Sequence, residues 1–289
     1  MKSIYRLIPI AIRERAAFIA RAGYYPSFKH PVTYNQKVNH RKLYWKNPLF
    51  LTLSDKLMAK EYVRQNFGEE YVIENVFVGS HIEVDDVKKL IEDHDSLVIK
   101  ANHNSGPVHF IDTSSSDADI ASACQNLNGQ LKVNYGKQKS ESWYSDIVPK
   151  ILVEKKILTN DGGLPWDYKF HVFRGKTPDE QVVILQVDYD RDSCHHRSFF
   201  DENLNWLPFS YKRPCLKTSI ETPLNYEKMV SMVKQLAYPF SNARVDLYNV
   251  DGKIFFGEVT FAPGSGRGRF SSIVYDRWMG QLWMGDPAM

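Results

Sequence analysis

Arg244, Asp246, Glu258 and Thr260 lie in the stretch ARVDLYNVDGKIFFGEVTFAPGSG (243–266), where two β-rich runs flank Val250-Asp251-Gly252. That pattern predicts a hairpin. A three-residue loop with Gly252 in the left-handed conformation suits it, since glycine adopts that conformation without strain. The loop pairs Asn249 with Lys253, Asp246 with Phe256 and Arg244 with Glu258. Strand alternation then sends Arg244, Asp246, Glu258 and Thr260 to one face. Ala243, Val245, Leu247, Phe255, Val259 and Phe261 go to the other, where they can form a core. Acids beside an apolar hairpin are costly unless neutralised. The Asp246–Glu258 diagonal spans roughly 7–8 Å at the backbone, a gap that their side chains and a cation can fill. Two readings fit: a divalent cation bound to phosphates, or a salt-bridge cluster with Arg244 between two acids.

Other residues carry chemistry at weaker spacing. Lys100 ends the apolar run Ser96–Lys100, and the polar loop ANHNSGP (101–107) follows. Small polar residues in such a loop can turn successive N–H groups toward an anion, to which the lysine adds charge; an ordinary hairpin turn fits equally. Asp167, Lys169 and His171 alternate onto one strand face. Glu154 interrupts the apolar run KILVEKKIL (150–158), and a carboxylate there needs a partner. Asp188-Tyr189-Asp190 is a D-x-D triplet that can hold a metal and a nucleotide-sugar diphosphate. Cys194-His195-His196 has no second ligand pair at metal-site spacing, which argues against structural zinc. No GxSxG, HExxH or GxGxxG motif is present.

The elements that must position these residues follow an α+β order, with antiparallel hairpins rather than βαβ alternation. A helix is predicted after Pro9, running to Ala22, with Arg13, Arg15 and Arg21 among apolar residues; it fits either a membrane surface or a protein face. An irregular basic and aromatic segment, 24–48, precedes helices over 49–67 and 84–93. Strands are predicted over 96–100, 108–111, 167–173 and 182–188, a largely helical stretch over 117–150, a loop over 190–223 and a helix over 226–236. The chain has 289 residues, 43% hydrophobic and 13% aromatic, with net charge +3. So small a charge gives no argument for nucleic acid. No apolar run reaches the ~18 residues of a membrane span, and no signal peptide is visible. Three widely spaced cysteines fit a reducing cytoplasm.

Taken in order, YNQKV (34–38), SDKLMAKEYV (54–63), VIKANHNSG (98–106), ILVEKK (151–156), DYKFHVFRGK (167–176), QVDYDR (186–191) and RVDLYNVDGKIFFGEVTFAPGSG (244–266) resemble the ATP-grasp superfamily, in particular its TupA-like branch linked to bacterial surface polysaccharides. The resemblance implies an ATP-grasp fold, with two antiparallel-sheet lobes gripping ATP behind a short helical and irregular leader. It suggests a leader over 1–48, a small lobe over 49–150 and a large lobe over 151–289.

The resemblance also implies roles. Lys100 is similar to the lysine on the nucleotide phosphates, with His103, Asn104, Ser105 and Gly106 in the covering loop. Val153, Glu154, Lys155 and Lys156 resemble the adenine-reading hinge, with Glu154 or Asp161 for nucleotide hydroxyls or amine. Lys169 resembles the second phosphate-side base, and Lys56 matches a further family lysine. Asp246 and Glu258 match magnesium ligands, and Arg244 the arginine that steadies the transferring phosphoryl group. Thr260 stands where many relatives carry a metal-binding asparagine. Asp188, Arg191, Ser265 and Arg267 are candidates for substrate binding.

The implied activity is an ATP- and Mg2+-dependent carboxylate–amine ligase working through an acyl phosphate. It would join an amino acid or other amine to a uronic acid in capsule or O-antigen synthesis, in the cytoplasm or peripherally at the inner membrane through the basic helix. A glycosyltransferase using Asp188 and Asp190, and a non-catalytic ATP-binding partner of a polysaccharide complex, are the competing readings.

Overall fold

The computed structural model describes residues 9–177, 179–190 and 193–284. In chain order the helices are α1 (Ile10–Ala22), α2 (Tyr34–Tyr44), α3 (Pro48–Ser54), α4 (Lys56–Phe67), α5 (Val84–His94), α6 (Asp117–Gln130), α7 (Tyr135–Lys139), α8 (Tyr226–Ala237) and α9 (Ile273–Leu282). The strands are β1 (Asn75–Gly79), β2 (Ser96–Ala101), β3 (Val108–Asp112), β4 (Ile151–Lys155), β5 (Asp167–Arg174), β6 (Gln181–Tyr189), β7 (His196–Asp201), β8 (Trp206–Leu207), β9 (Asn242–Val250) and β10 (Lys253–Thr260). The described residues form two compact units. Residues 48–165 make one, and the flanking 9–47 and 166–284 make the other.

In the 48–165 unit a four-stranded antiparallel sheet has the order β1-β4-β2-β3. The run 151–155, assigned to the second lobe on sequence, is a strand of this sheet. Leu97, Ile99, Ile111, Ile151 and Val153 face α5 and α6, whose Val87, Ile91, Ile120 and Leu127 complete the core. The spacing of Val84, Val87, Leu90 and Ile91 makes the apolar stripe that seats α5. The opposite sheet face carries Val98, Lys100, Leu152 and Glu154, because side chains alternate. The helix expected over 49–67 is two helices, since the Asp55 carboxylate accepts from Leu57 N and starts α4 afresh.

The other unit holds a six-stranded antiparallel sheet, β10-β9-β5-β6-β7-β8. Its apolar face, with Phe170, Val172, Leu185, Val245, Leu247 and Phe256 all buried, lies against α8 through Met229, Val233 and Leu236. The opposite face is polar and carries the candidate site. Several elements were not expected, β1 and α9 among them. Helix α2 occupies part of the stretch read as irregular, closed by a Thr33–Gln36 capping box. Strands β7 and β8 lie in the stretch read as a loop.

Candidate active site

The β9–β10 hairpin turns on two residues, not three: Lys253 pairs with Val250, and Asp251 and Gly252 both have positive φ (51° and 92°). This is the twist-matched geometry that Asp-Gly favours. A bulge between Phe256 and Glu258 then absorbs Gly257. Its Cα faces the Asp246 carbonyl so closely that a Cβ there would lie 2.9 Å from that oxygen. Turn and bulge together correct the expected register. Glu258 stands opposite Asp246, and Thr260 opposite Arg244. The bulge also switches the face parity along β10, so Ile254 and Phe256 enter the core while Phe255, expected there, does not.

Arg244, Asp246, Glu258 and Thr260 do share one face. Arg244 Nε donates to Asp246 Oδ1 at 2.7 Å, and its Nη2 to Asp246 Oδ2 at 2.8 Å and Glu258 Oε1 at 2.7 Å. Lys169 Nζ reaches Asp246 Oδ2 at 2.9 Å and also Asp167. Thr260 Oγ1 donates to Glu258 Oε1 at 3.2 Å. Burial alone disfavours the Arg244 charge; the attraction of Asp246 and Glu258 outweighs it and raises its pKa. The Asp246 side chain is 4% exposed and that of Glu258 36% exposed. The inner acid is therefore fixed by two cations, while the outer one keeps about a third of its side chain exposed.

Next along the sheet, His171 is fully buried, and its Nε2 donates to Gln186 Oε1 at 3.0 Å. Desolvation drives its pKa down to about 3, so the imidazole is neutral. Its Nδ1 has no hydrogen-bond partner among the described residues. Gln186 Nε2 donates onward to Asp188 Oδ2 at 3.2 Å. Arg197 holds Asp188 through Nε at 2.5 Å and Nη2 at 3.2 Å, with His195 Nε2 at 3.1 Å from Oδ1. Burial would raise the Asp188 pKa; the Arg197 and His195 contacts prevail and lower it. The first acid of the D-x-D triplet thus serves β6–β7 pairing. Ser265 and Arg267 lie apart from the carboxylate pair in their bonding: Lys42 Nζ donates to Ser265 Oγ at 2.9 Å, and Arg267 Nη2 to Glu14 at 2.5 and 2.6 Å. They tie the loop after β10 to α1 and α2. Arg191 lies outside the described residues.

In the 48–165 unit Lys100 Nζ is 2.6 Å from Glu154 Oε2, and Lys60 Nζ 2.5 Å from Glu154 Oε1. Burial raises the Glu154 pKa, and the charges of Lys100 and Lys60 more than reverse this, so the acid stays ionised. For Lys60 desolvation prevails over Glu154, and its pKa falls to about 8. Lys60 also donates to Ile73 O at 2.8 Å and Asn75 Oδ1 at 2.6 Å. Sequence reasoning missed this lysine, although it lies inside the quoted segment 54–63. Lys56 Nζ donates to Asn104 O at 2.5 Å, and Asn104 Oδ1 accepts from Gly106 N at 3.0 Å. His103 and Asn104 are buried, and Ser105 and Gly106 are exposed. Desolvation holds the His103 pKa below its ordinary value. In the stretch 153–156, expected to be the hinge, the Val153 side chain lies in the helix-side core, Lys155 pairs with Glu74 at 2.7 Å, and Lys156 N donates to Ser96 O at 3.2 Å. Asp161 is exposed and held by Thr159 and by Gly163 N.

Among the described residues no cluster of three or more His, Cys, Asp or Glu could hold a metal. Asp246 and Glu258 form a pair, which fits magnesium, an ion commonly bound by one or two carboxylates with phosphate oxygens and water filling its octahedron. The Thr260 hydroxyl, turned to Glu258, is a weaker donor than an amide oxygen.

The chain thus has two antiparallel sheets, one bearing a buried lysine–glutamate cluster and the other an acid pair bridged by arginine. The chain matches the TupA-like ATP-grasp family over residues 36–284 and belongs to it. Among solved structures it is similar to D-alanine–D-alanine ligase from Helicobacter pylori (14% identity, 81% of this chain and 61% of that one, TM-score 0.48). It is also similar to D-alanyl-alanine synthetase A from Vibrio cholerae (10%, 73% and 56%, 0.42) and D-alanine–D-alanine ligase from Bacillus anthracis (17%, 73% and 57%, 0.40). The chain spans less than two thirds of the length of these proteins. No curated protein matches it. No helix among the described residues is long and apolar enough to cross a membrane.

Proposed function

We propose that the chain is an ATP- and magnesium-dependent ligase that joins a carboxylate to an amine through an acyl phosphate. In this reading the acid is a uronic acid, the amine an amino acid or similar compound, and the setting capsule or O-antigen synthesis in the cytoplasm, with α1 available to a membrane surface. The observation that carries the chemistry is the row Lys169, Asp246, Arg244 and Glu258 on one sheet face, in a member of the ATP-grasp family. The polysaccharide setting is the expectation that goes with resemblance to the TupA-like branch.

A carboxylate does not acylate an amine at neutral pH because oxide is too poor a leaving group. Transfer of the γ-phosphoryl group of ATP to a carboxylate oxygen gives ADP and an acyl phosphate. Attack of the amine nitrogen on the carbonyl carbon then breaks the C–O bond, releasing phosphate and a proton. Phosphoryl transfer needs positioning and neutralisation above all. Asp246 and Glu258 would hold magnesium, which when bound supplies charge neutralisation at phosphate oxygens. Arg244 sits where it can turn a second N–H to developing negative charge while staying fixed to Asp246. Lys169 orients Asp246 and adds a positive charge, and Lys100 serves the nucleotide phosphates.

Purified protein with ATP, magnesium, glucuronic acid and a panel of amino acids should release ADP, and hydroxylamine should trap the acyl phosphate as a hydroxamate. Release of UDP from a nucleotide sugar without ATP binding would replace this reading with the glycosyltransferase one. ATP binding without turnover across the panel would leave a nucleotide-binding partner.

A further inference from the structure

Lys212 belongs to no site yet described, and its setting is unusual. Its backbone is left-handed (φ 64°) although it is not glycine, a conformation that persists only where surroundings enforce it. Three contacts do so. Lys212 N donates to Arg269 O at 2.9 Å, Tyr211 pairs with Phe270 in a β-bridge, and Tyr211 Oη donates to Pro263 O at 3.3 Å. The kink sends the side chain against Gly264, where a Cβ would lie 3.2 Å from Lys212 Cδ and 3.4 Å from Nζ. Gly264 belongs to the loop that leaves β10 just after Glu258 and Thr260. The ammonium thus lies beside that loop while the residue as a whole remains exposed.

The charges around it do not balance. Lys212 has no acidic partner among the described residues, and neither do Arg21, Arg213 and Arg269. The neighbouring acids are committed elsewhere: Asp188 to Arg197, Asp246 and Glu258 to Arg244, Glu14 to Lys42 and Arg267. Desolvation first, then the charges of Arg197, Arg244, Arg21 and Arg213, hold the Lys212 pKa below that of a free lysine. Neighbouring cations without an acidic partner repel one another and are stabilised by an anion that arrives with a ligand.

We infer that Lys212, with Arg213 beside it, receives a second anionic group of the acid substrate, a phosphate ester distinct from the carboxylate that is activated. The inference rests on the ligase reading and narrows it: the acid is a phosphorylated sugar acid rather than a simple monoanion. The same phosphate chemistry occurs in nucleotide-linked and lipid-linked sugars, and UDP-glucuronic acid set against a lipid-linked glucuronyl phosphate separates these sources.

The test is a binding comparison without ATP, titrating glucuronic acid 1-phosphate and glucuronic acid into wild type and into Lys212→Met and Lys212→Arg. Wild type should bind the phosphate ester about tenfold or more tightly than the plain acid, as one charge-assisted contact can provide. Lys212→Met should remove that preference and Lys212→Arg should keep most of it, with unchanged melting temperatures showing that both fold. No preference in wild type, or equal losses for both ligands in Lys212→Met, would overturn the inference. The ligase reading fails separately, by absence of ADP release with either acid.

Discussion

Glu258 faces Asp246 directly across the β9–β10 ladder, and one guanidinium nitrogen of Arg244 reaches both carboxylates, at 2.7 and 2.8 Å. Arginine therefore occupies the same oxygens that the proposed magnesium would draw on. The two acids are unequal partners in this arrangement. Asp246 is enclosed and bonded to Arg244 and Lys169, whereas Glu258 keeps a third of its side chain exposed.

That inequality predicts different costs for two similar substitutions. Asp246→Asn leaves Arg244 and Lys169 short of their buried counter-charge and should destabilise the protein by about 3 kcal/mol or more. Glu258→Gln removes the charge of a side chain that is 36% exposed and should cost no more than about 1 kcal/mol. Both should abolish magnesium-dependent ADP release. Urea unfolding and a turnover assay on each variant check this; equal stability losses would show that the acids are structurally equivalent. Activity retained in both would leave the pair as a salt-bridge cluster and nothing more.

Glu154 is neutralised from two sides, by Lys100 and Lys60, and all three groups are largely buried. Lys60→Met should leave the acid half compensated and destabilise the protein by about 3 kcal/mol, as expected when one partner of a buried pair is removed. Adding Glu154→Gln to it should recover part of that loss, since the uncompensated charge disappears, giving a coupling of about 0.5–3 kcal/mol. Additive losses in a double-mutant cycle would mean that Lys60 matters only through Ile73 and Asn75.

The sequence carried the chemistry of the hairpin more reliably than its geometry. Asp-Gly marked the turn, and alternation placed Arg244, Asp246, Glu258 and Thr260 together. Expecting a three-residue loop where the turn has two shifted the register by one, and counting by twos cannot see a bulge, which shifted Glu258 by one more; Gly257 in a strand interior was the signal passed over. Helix α2 escaped because its buried side chains include Asn35, Gln36, Asn39, His40, Arg41 and Lys42. They answer tertiary partners rather than an apolar stripe, as when Arg41 donates to Asn242 O at 2.8 Å. Only Thr33 and Gln36 offered a local start signal. The Lys60–Glu154 pair was illegible for a different reason: the partners are distant in sequence, and α4 gives no local sign that its lysine turns inward.

The bulge makes a prediction of its own. A Cβ at residue 257 would lie 2.9 Å from Asp246 O and 3.3 Å from a Tyr248 ring carbon. Gly257→Ala must therefore shift the strand or slip its register, and a one-residue slip would turn Glu258 away from Asp246. Magnesium-dependent ADP release should fall at least as far as in Glu258→Gln, and the melting temperature should drop as well. Wild-type turnover in Gly257→Ala would show that the Glu258–Asp246 juxtaposition is not needed for the reaction.

His171 should leave its mark on the acid limb of stability. Its pKa lies at about 3 in the folded chain against 6.5 for a free imidazole, chiefly from desolvation and then from the charges of Arg244, Arg197 and Lys169, while the Gln186 contact opposes the shift. Between these values the unfolded chain binds a proton that the folded chain refuses, so stability is full above pH 6.5 and declines as pH falls toward 3. The decline approaches ~1.4 kcal/mol for each pH unit within that window. His171→Gln keeps a hydrogen-bonding side chain beside Gln186 but does not titrate. Its stability should accordingly fall less steeply than that of wild type between pH 6.5 and pH 5.5, before most carboxylates titrate. Parallel curves for the two proteins would mean that His171 is hydrated and free to protonate where it sits.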